Sequence, residues 1–222
     1  KNNISEILLA LPSISQKKRN KIIENLSLFS VHVRSLPSVL ELAEGKVKID
    51  DLLEIDVKDL LGRIPVKPDE TLLEVKITNK VVMVTGAGGS IGSELCRQII
   101  YLKPKKLILF DISEASLYQI EQEIIKIGIS SIELIPIIGS VCSNNQLTRI
   151  LKRHKVETIY HAAAYKHVPL VELNPAEGVL NNSIGTMVIA EAAIASNVET
   201  FVLISTDKAV RPTNTMGATK RV

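Results

Sequence analysis

The chain has 222 residues, of which 45% are hydrophobic and 3% aromatic, and its formal net charge is +3. This length allows one large domain or one domain plus a fragment. Its core would be aliphatic, as in parallel sheets covered by helices. The small charge gives no argument for nucleic-acid or membrane-surface binding. Lys1 is not an initiator Met, and the last predicted helix is unfinished at Val222, so we expect a segment of a longer protein.

The first 37 residues predict a small β-α-β piece, with strands at 4–11 and 31–35 and a helix at 16–28. Such a piece cannot bury its own faces, and we interpret it as the C-terminal piece of a preceding α/β domain. Residues 38–78 then predict a helical linker. Its short helical patterns lie at 38–44, 49–53 and 59–61.

Residues 79–222 alternate strands with helices. Strands are predicted at 81–85, 106–111, 132–138, 158–162 and 200–205. Helices are predicted at 90–101, 113–127, 144–154, 174–196 and 216–222. This alternation predicts an α/β fold, a Rossmann-type parallel sheet with helices on both faces.

A glycine-rich turn follows the first of these strands and reads Thr-Gly-Ala-Gly-Gly-Ser-Ile-Gly from residue 85. Gly86 permits the tight turn, Gly89 lets the backbone approach a pyrophosphate, and Gly92 lets the helix pack close to the strand. The N–H groups at the start of the helix would then meet the phosphates. The position between strand and helix favours a dinucleotide site over a glycine turn without a ligand.

Asp111 ends the second strand, 19 residues after Gly92. We expect its carboxylate to accept hydrogen bonds from the adenosine ribose hydroxyls. A carboxylate repels a 2′-phosphate, so NAD is favoured over NADP. The alternative is a surface Asp that caps the helix at 113–127, and both roles are compatible.

Several motifs carry a family resemblance. The Thr-Gly-x-x-Gly-x-x-Gly spacing, the Tyr-His-Ala-Ala-Ala segment from Tyr160, Asn182 within Asn-Asn-Ser-Ile-Gly-Thr, and Lys220 resemble the extended short-chain dehydrogenase/reductase family. The segments 163–169 and 205–212 look more specifically like nucleotide-sugar 4,6-dehydratases of bacterial polysaccharide biosynthesis. Within that class the resemblance is to the large, membrane-anchored UDP-N-acetylglucosamine 4,6-dehydratases, and it covers roughly residues 31–222, with 59–63 included.

The resemblance implies bound NAD. The residues expected to hold NAD are Gly86, Gly88, Gly89, Ser90, Ile91, Gly92, Asp111, Ser140, Val141, Ala162, Ala163, Ala164 and Lys220. One departure concerns Ser140, because family members usually carry Asp there in contact with adenine. A serine still forms hydrogen bonds but has no charge, so adenine would be bound less tightly.

The resemblance also implies the catalytic residues, which are Thr206, Asp207, Lys208 and Lys220. Dehydration removes hydride from sugar C4, takes the C5 proton, expels the C6 hydroxyl and returns hydride to C6. Lys208 would be the C5 base, Asp207 the C6 acid, and Thr206 a hydrogen-bonding partner of the C4 oxygen. Met216 stands where the broad family has Tyr, so we expect Thr206 and an ordered water to relay the C4 proton.

Substrate contacts are expected from Lys166, His167, Asn182 and Thr206. Lys166 and His167 would orient the sugar or a cofactor phosphate, although His167 could instead pack against Pro169. The spacing of His and Cys predicts no metal site. The alternative function is a nucleotide-sugar epimerase, which lacks a C6 acid.

The resemblance further implies a homo-oligomer and a cytoplasmic domain of a bacterial inner-membrane protein. The part that grips the UDP-sugar would lie beyond residue 222, so this segment alone is expected to be inactive.

Overall fold

The computed structural model describes residues 69–128 and 132–222, three short strands before them, and the isolated helical residues 18 and 22. The chain divides into two compact units, Lys1–Lys67 and Pro68–Val222. The second unit therefore begins ahead of residue 79, where the Rossmann domain was predicted to start.

The described part of the first unit is a three-stranded sheet of β1 (Glu6–Leu9), β2 (His32–Ser35) and β3 (Leu53–Glu54). β1 and β2 are parallel, as are the two strands of a β-α-β piece. β3 pairs antiparallel with β2, so the helical pattern predicted for 49–53 is wrong at Leu53, where strand pairing outweighs local periodicity. The helices predicted at 38–44 and 59–61, and most of that at 16–28, lie outside the described residues.

The second unit contains a parallel sheet of five strands in the order β6-β5-β4-β7-β8. The strands are β4 (Val81–Thr85), β5 (Lys106–Asp111), β6 (Glu133–Ile138), β7 (Thr158–His161) and β8 (Thr200–Leu203). The predicted α/β fold is confirmed. β7 and β8 end one and two residues earlier than predicted, at the edge where parallel sheets bind ligands.

Eight helices lie within the described residues of the second unit. They are α1 (Glu70–Ile77), α2 (Ser90–Tyr101), α3 (Glu114–Ile127), α4 (Asn144–His154), α5 (Val168–Leu173), α6 (Pro175–Gly178), α7 (Gly185–Ala195) and α8 (Thr215–Arg221). A π-helical turn, Val179–Ile184, joins α6 to α7, and a 3₁₀ turn, Asp207–Ala209, follows β8. The single helix predicted at 174–196 thus consists of α6, the π turn and α7. Neither α1 nor α5 was predicted as a separate helix.

Apolar side chains fill both faces of the sheet. Val82 and Val84 of β4 face one cluster with residues of α2 and α3, while Val81 and Met83 face another with residues of α4 and α7. This alternation explains why the strand reads as a continuous apolar run, because a sheet covered on both sides leaves neither face in water.

The segment Pro175–Ala195 is long and apolar enough to cross a membrane by composition alone, with 21 residues and a mean hydropathy of 1.2. Its Ile189 and Ala192 are buried in the core beneath the sheet. Only 33% of its apolar window is buried in the described domain, so the segment contributes to the core without being buried as a whole.

Candidate functional site

The glycine loop joins β4 to α2 at the carboxyl edge of the sheet. Gly86 has φ +65°, and a Cβ there would lie 2.7 Å from the Cα of Ala163. A side chain at this position would force the loop away from β7. The N–H of Gly89 donates to the Gly86 carbonyl at 3.0 Å, so the loop closes on itself before the helix starts.

The first turn of α2 has no side-chain cap, since its N-cap is Gly89. Its N–H groups are left for an external acceptor, and the helix dipole favours an anion there. The Lys166 ammonium donates to Ser90 Oγ at 3.2 Å, which adds a cation at the same place. This arrangement fits a pyrophosphate.

A cavity of about 220 Å³ opens beside the loop. Its lining includes the predicted cofactor residues Gly86, Gly88, Gly89, Asp111, Ser140, Val141, Ala162, Ala163 and Ala164. The sheet order places the glycine loop, Asp111 and Ser140 at the carboxyl ends of the neighbouring strands β4, β5 and β6. Phosphate, ribose and base of an adenosine moiety would meet these groups in the same order.

Asp111 is 9% exposed, and both of its oxygens are held by backbone N–H groups. Oδ2 accepts from Gly88 at 2.8 Å and Oδ1 accepts from Ser113 at 2.9 Å. Ser113 is the N-cap of α3, where its hydroxyl accepts from Ser116. The carboxylate therefore connects the glycine loop to the N-cap of α3, and it also lines the cavity.

Ser140 stands after β6, and its hydroxyl accepts from the N–H of Cys142 at 3.2 Å. This bond holds the turn that carries Val141 into the cavity. The hydroxyl hydrogen remains available as a donor, which an aspartate at this position would lack at neutral pH.

A second cavity, of about 510 Å³, adjoins the first and shares Gly89, Ala162, Ala164 and Tyr165 with it. Ser90, Ile91, Gly92, Lys166 and His167 also line it, as do Leu170 and Val171 of α5. The two cavities together follow the path expected of a dinucleotide that crosses the start of α2.

The predicted catalytic residues follow β8. Thr206 Oγ1 donates to Asp207 Oδ1 at 3.0 Å and accepts from the backbone N–H of Lys208 at 3.3 Å. Asp207 and Lys208 are exposed. Helix α8 packs closely on this turn, because a Cβ at Gly217 would collide with the Lys208 carbonyl oxygen.

Lys220 lies one turn further along α8, and its ammonium donates to the Ile204 carbonyl at 3.2 Å. Burial lowers the pKa of this amine below its usual value. Met216, in the place of the family tyrosine, is 2% exposed and packs inside the domain. None of Thr206, Asp207, Lys208 and Lys220 lines either of these two cavities.

Asn182 is 2% exposed and sits in the π turn. Its Oδ1 accepts from the Tyr165 N–H at 2.8 Å, and its Nδ2 donates to the Tyr165 carbonyl at 3.0 Å and to Thr219 Oγ1 at 3.0 Å. The amide is fully engaged, so in this geometry Asn182 holds the cavity wall against α8 and does not face a substrate.

His161 forms a buried connection that the sequence motif alone did not reveal. It accepts from Thr85 Oγ1 at Nδ1, 2.6 Å away, and donates from Nε2 to Thr186 Oγ1, 3.0 Å away. Thr186 in turn donates to the Asn182 carbonyl at 2.6 Å, which assigns the Nε2–H tautomer. Burial, aided by the charge of Lys220, lowers the pKa of His161 to about 4.

The strand order, together with the glycine loop between β4 and α2, defines a Rossmann-type α/β protein. The profile of a family described as polysaccharide biosynthesis protein matches residues 82–222, and the chain belongs to that family.

Two curated relatives illustrate the range of that similarity. Over all 222 residues the chain is 44% identical to the capsular polysaccharide biosynthesis protein CapD of Staphylococcus aureus, of which it spans 37%. Over 145 residues, 64% of the chain, it is 34% identical to the UDP-glucose 4-epimerase of Rickettsia canadensis, covering 41% of that protein. The chain thus spans less than half the length of each.

Two solved structures resemble the second unit. One is Pen from Bacillus thuringiensis, with a TM-score of 0.61 and 31% identity over 66% of this chain and 45% of that one. The other is DesIV, a dTDP-glucose 4,6-dehydratase from Streptomyces venezuelae with NAD bound. Its TM-score is 0.54 and its identity 22%, over 64% of this chain and 48% of that one. The second likeness shows the fold alone.

Proposed function

We propose that the protein is an NAD-dependent nucleotide-sugar 4,6-dehydratase that acts on UDP-N-acetylglucosamine in polysaccharide or glycan biosynthesis. The observation that carries the proposal is the Thr206-Asp207-Lys208 turn beside Lys220, at the same sheet edge as a glycine loop suited to a dinucleotide. The family membership and the resemblance to 4,6-dehydratases support the same assignment.

The described residues fit NAD. The uncapped start of α2 with Lys166 suits the pyrophosphate, Asp111 suits the ribose, and Ser140 with Val141 suits adenine. Bound NAD supplies the acceptor and donor of hydride. Lys220, which reaches the Ile204 carbonyl at the end of β8, would hold the nicotinamide ribose with its ammonium.

The hydrogen bonds of the turn suggest how a proton moves without a tyrosine. Thr206 already donates its hydroxyl hydrogen to Asp207. A proton that leaves the sugar C4 hydroxyl toward Thr206, directly or through a water, can therefore pass on to the Asp207 carboxylate. Asp207 then gives that proton to the C6 hydroxyl, which leaves as water, while Lys208 takes the C5 proton and returns it to C5 when hydride is added at C6.

The proposal is tested with protein produced from the native gene, incubated with NAD and UDP-N-acetylglucosamine and followed by NMR. We expect a 4-keto-6-deoxy product and no net consumption of NAD. Asp207→Asn should lose at least about 100-fold in product formation, because it removes both the acceptor of the C4 proton and the C6 acid. In deuterated solvent, Lys208→Ala should lose both C5 exchange and product formation.

The second candidate is a nucleotide-sugar 4-epimerase, which the similarity to the Rickettsia enzyme favours. An epimerase has no use for a C5 base or a C6 acid. Formation of the C4 epimer, without C5 exchange, would decide for the epimerase and against the dehydratase.

We further propose that the protein assembles as a homo-oligomer and serves as the cytoplasmic domain of a bacterial inner-membrane protein, as the resemblance implies. The first unit, Lys1–Lys67, would include the end of a preceding α/β domain.

A further inference from the structure

Helix α5 bridges the second cavity and helix α8. Leu170 and Val171 of α5 line the cavity, and the next residue, Glu172, reaches the other way. Its Oε1 accepts from the Thr215 N–H at 2.6 Å, and its Oε2 accepts from Thr215 Oγ1–H at 2.8 Å. One carboxylate therefore binds both donors of the first residue of α8.

The two donors hold Glu172 in its charged form, because the Thr215 backbone N–H and hydroxyl lower the pKa of this carboxyl below its usual value. Both partners are at hydrogen-bonding distance although the side chain is exposed. A carboxylate with two parallel donors fixes orientation as well as distance, which a single bond does not.

Helix α8 carries Lys220 and packs on the turn that holds the other proposed catalytic residues. Gly217 packs against the Lys208 carbonyl, and Lys220 binds the Ile204 carbonyl. On its other side, Thr219 accepts from Asn182 and its carbonyl accepts from Ser183. The π turn thus holds the middle of α8, while Glu172 holds its first residue from α5.

We infer that Glu172 is a positioning residue. Through its two hydrogen bonds to Thr215, binding in the second cavity fixes the position of α8 relative to the turn at residues 206–208. A ligand in contact with Leu170 and Val171 fixes the position of α5, and Glu172 then fixes the start of α8. The inference rests on the proposed function, in which Lys220 and the turn act on the sugar.

The kinetic test uses protein from the native gene. Glu172→Ala should lower kcat by about tenfold or more, while KM and the Kd of NAD stay within about threefold. Glu172→Gln keeps an acceptor for the Thr215 N–H and should restore kcat to within about threefold of the unmodified enzyme. Thr215→Val added to Glu172→Ala should lower kcat no further, because the two residues share one interaction.

Glu191 supplies a matched control. It is an exposed glutamate on α7, and no ion pair or hydrogen bond of its carboxylate to the described residues is found. Glu191→Ala should leave kcat unchanged. Equal losses in Glu172→Ala and Glu191→Ala would overturn the inference.

Hydrogen–deuterium exchange separates this inference from the proposed activity. NAD with UDP-N-acetylglucosamine should slow exchange in residues 215–221 about tenfold in the unmodified protein and leave it unslowed in Glu172→Ala. If the ligands protect this segment equally in both proteins, Glu172 is only structural and the inference fails. If the ligands bind and protect but no 4-keto-6-deoxy product forms, the proposed function fails and the inference stands.

Discussion

At the residue scale, His161 shows how much a buried hydrogen-bond chain depends on one protonation state. As a neutral ring it accepts from Thr85 and donates to Thr186. A protonated ring would present a second N–H to Thr85, whose hydroxyl oxygen would then have to accept. The connection between the end of β4 and α7 therefore needs the uncharged form.

This requirement predicts an acid-sensitive stability. The pKa of His161 is about 4 in the fold, against 6.5 for the free side chain. Between these values only the unfolded chain binds the proton, so stability falls as the pH drops from 6.5 to 4, by roughly 3 kcal/mol in all. Urea unfolding of the native protein and of His161→Gln at pH 7 and pH 4.5 measures the difference.

We expect His161→Gln to be less stable at pH 7 but to lose less between the two pH values. His167→Gln, which changes an exposed ring, should keep the native pH dependence. The same slope in the native protein and in His161→Gln would assign the acid sensitivity to other groups.

Asp111 carries a prediction about cofactor choice. Asp111→Asn removes the charge that repels a 2′-phosphate. It also replaces one carboxylate oxygen, which accepts from a backbone N–H, with an NH2 group, which can only donate. NAD binding should weaken about tenfold, while NADP binding weakens less or improves. Calorimetric Kd values for both cofactors give the ratio, with Glu114→Gln as the matched control on the exposed start of α3. An unchanged NAD-to-NADP ratio would contradict the role of Asp111.

At the element scale, Gly217 sets the distance between α8 and the turn at residues 206–208. Gly217→Ala would place a Cβ against the Lys208 carbonyl, so the helix or the turn must shift. We expect kcat to fall at least about tenfold with the Kd of NAD nearly unchanged, since a small misplacement of acting groups is costly. Steady-state kinetics and NAD titration check this.

Ala218→Ser serves as the control in the same helix, because Ala218 is exposed. A loss of NAD affinity in Gly217→Ala equal to the loss in kcat would mean that the whole site, and not this one contact, had been displaced.

Elements with a strong local signal were predictable from the sequence. β4, α2, β5 and α4 have the predicted bounds, because a buried run or an amphipathic period ends at a glycine, a charge or a capping residue. α5 was missed because Pro169 lies in its first turn and Pro175 follows it closely, a pattern typical of a loop. The π turn was missed because the partners that stabilise Asn182 are distant in sequence, at Tyr165 and Thr219.

The residues of the candidate site were likewise predictable only in part. The glycine loop, Asp111 and Ser140 follow strand ends, and the order of the strands brings them to one cavity. Glu172 and His161 carry no such signal, because each acts through residues that only the tertiary fold brings near. Sequence patterns therefore identify residues that contact a ligand more readily than residues that position other side chains.

At the scale of the whole molecule, the boundary between the two units has a measurable consequence. α1 lies before the predicted start at residue 79, yet Ile77 is buried in the core and the Lys76 carbonyl accepts from Thr158 Oγ1 at 2.7 Å. We expect a fragment of residues 68–222 to be more stable than one of 79–222 by about 3 kcal/mol, since burial of one Ile contributes roughly 1.5–3. Chemical unfolding compares them, and equal stabilities would show that α1 is dispensable.

The residues proposed to bind the cofactor and those proposed to catalyse the reaction lie along one edge of the sheet in the second unit. Segments after β4, β5, β6 and β7 line the two cavities, and the segment after β8 carries Thr206, Asp207 and Lys208. Because cofactor and catalytic groups follow different strands, substitutions can separate binding from turnover. The predictions for Asp111 and Gly217 depend on that separation.

The π turn at Val179–Ile184 has a consequence for comparing homologous chains. A π turn amounts to one residue inserted into an α-helix, so deleting a single residue there would restore regular helix. Everything on one side of the deletion would then rotate by about 100° relative to the other, and the asparagine would turn away from Tyr165 and Thr219. A one-residue gap in this stretch of an alignment therefore marks a chain in which α8 must be anchored by other means.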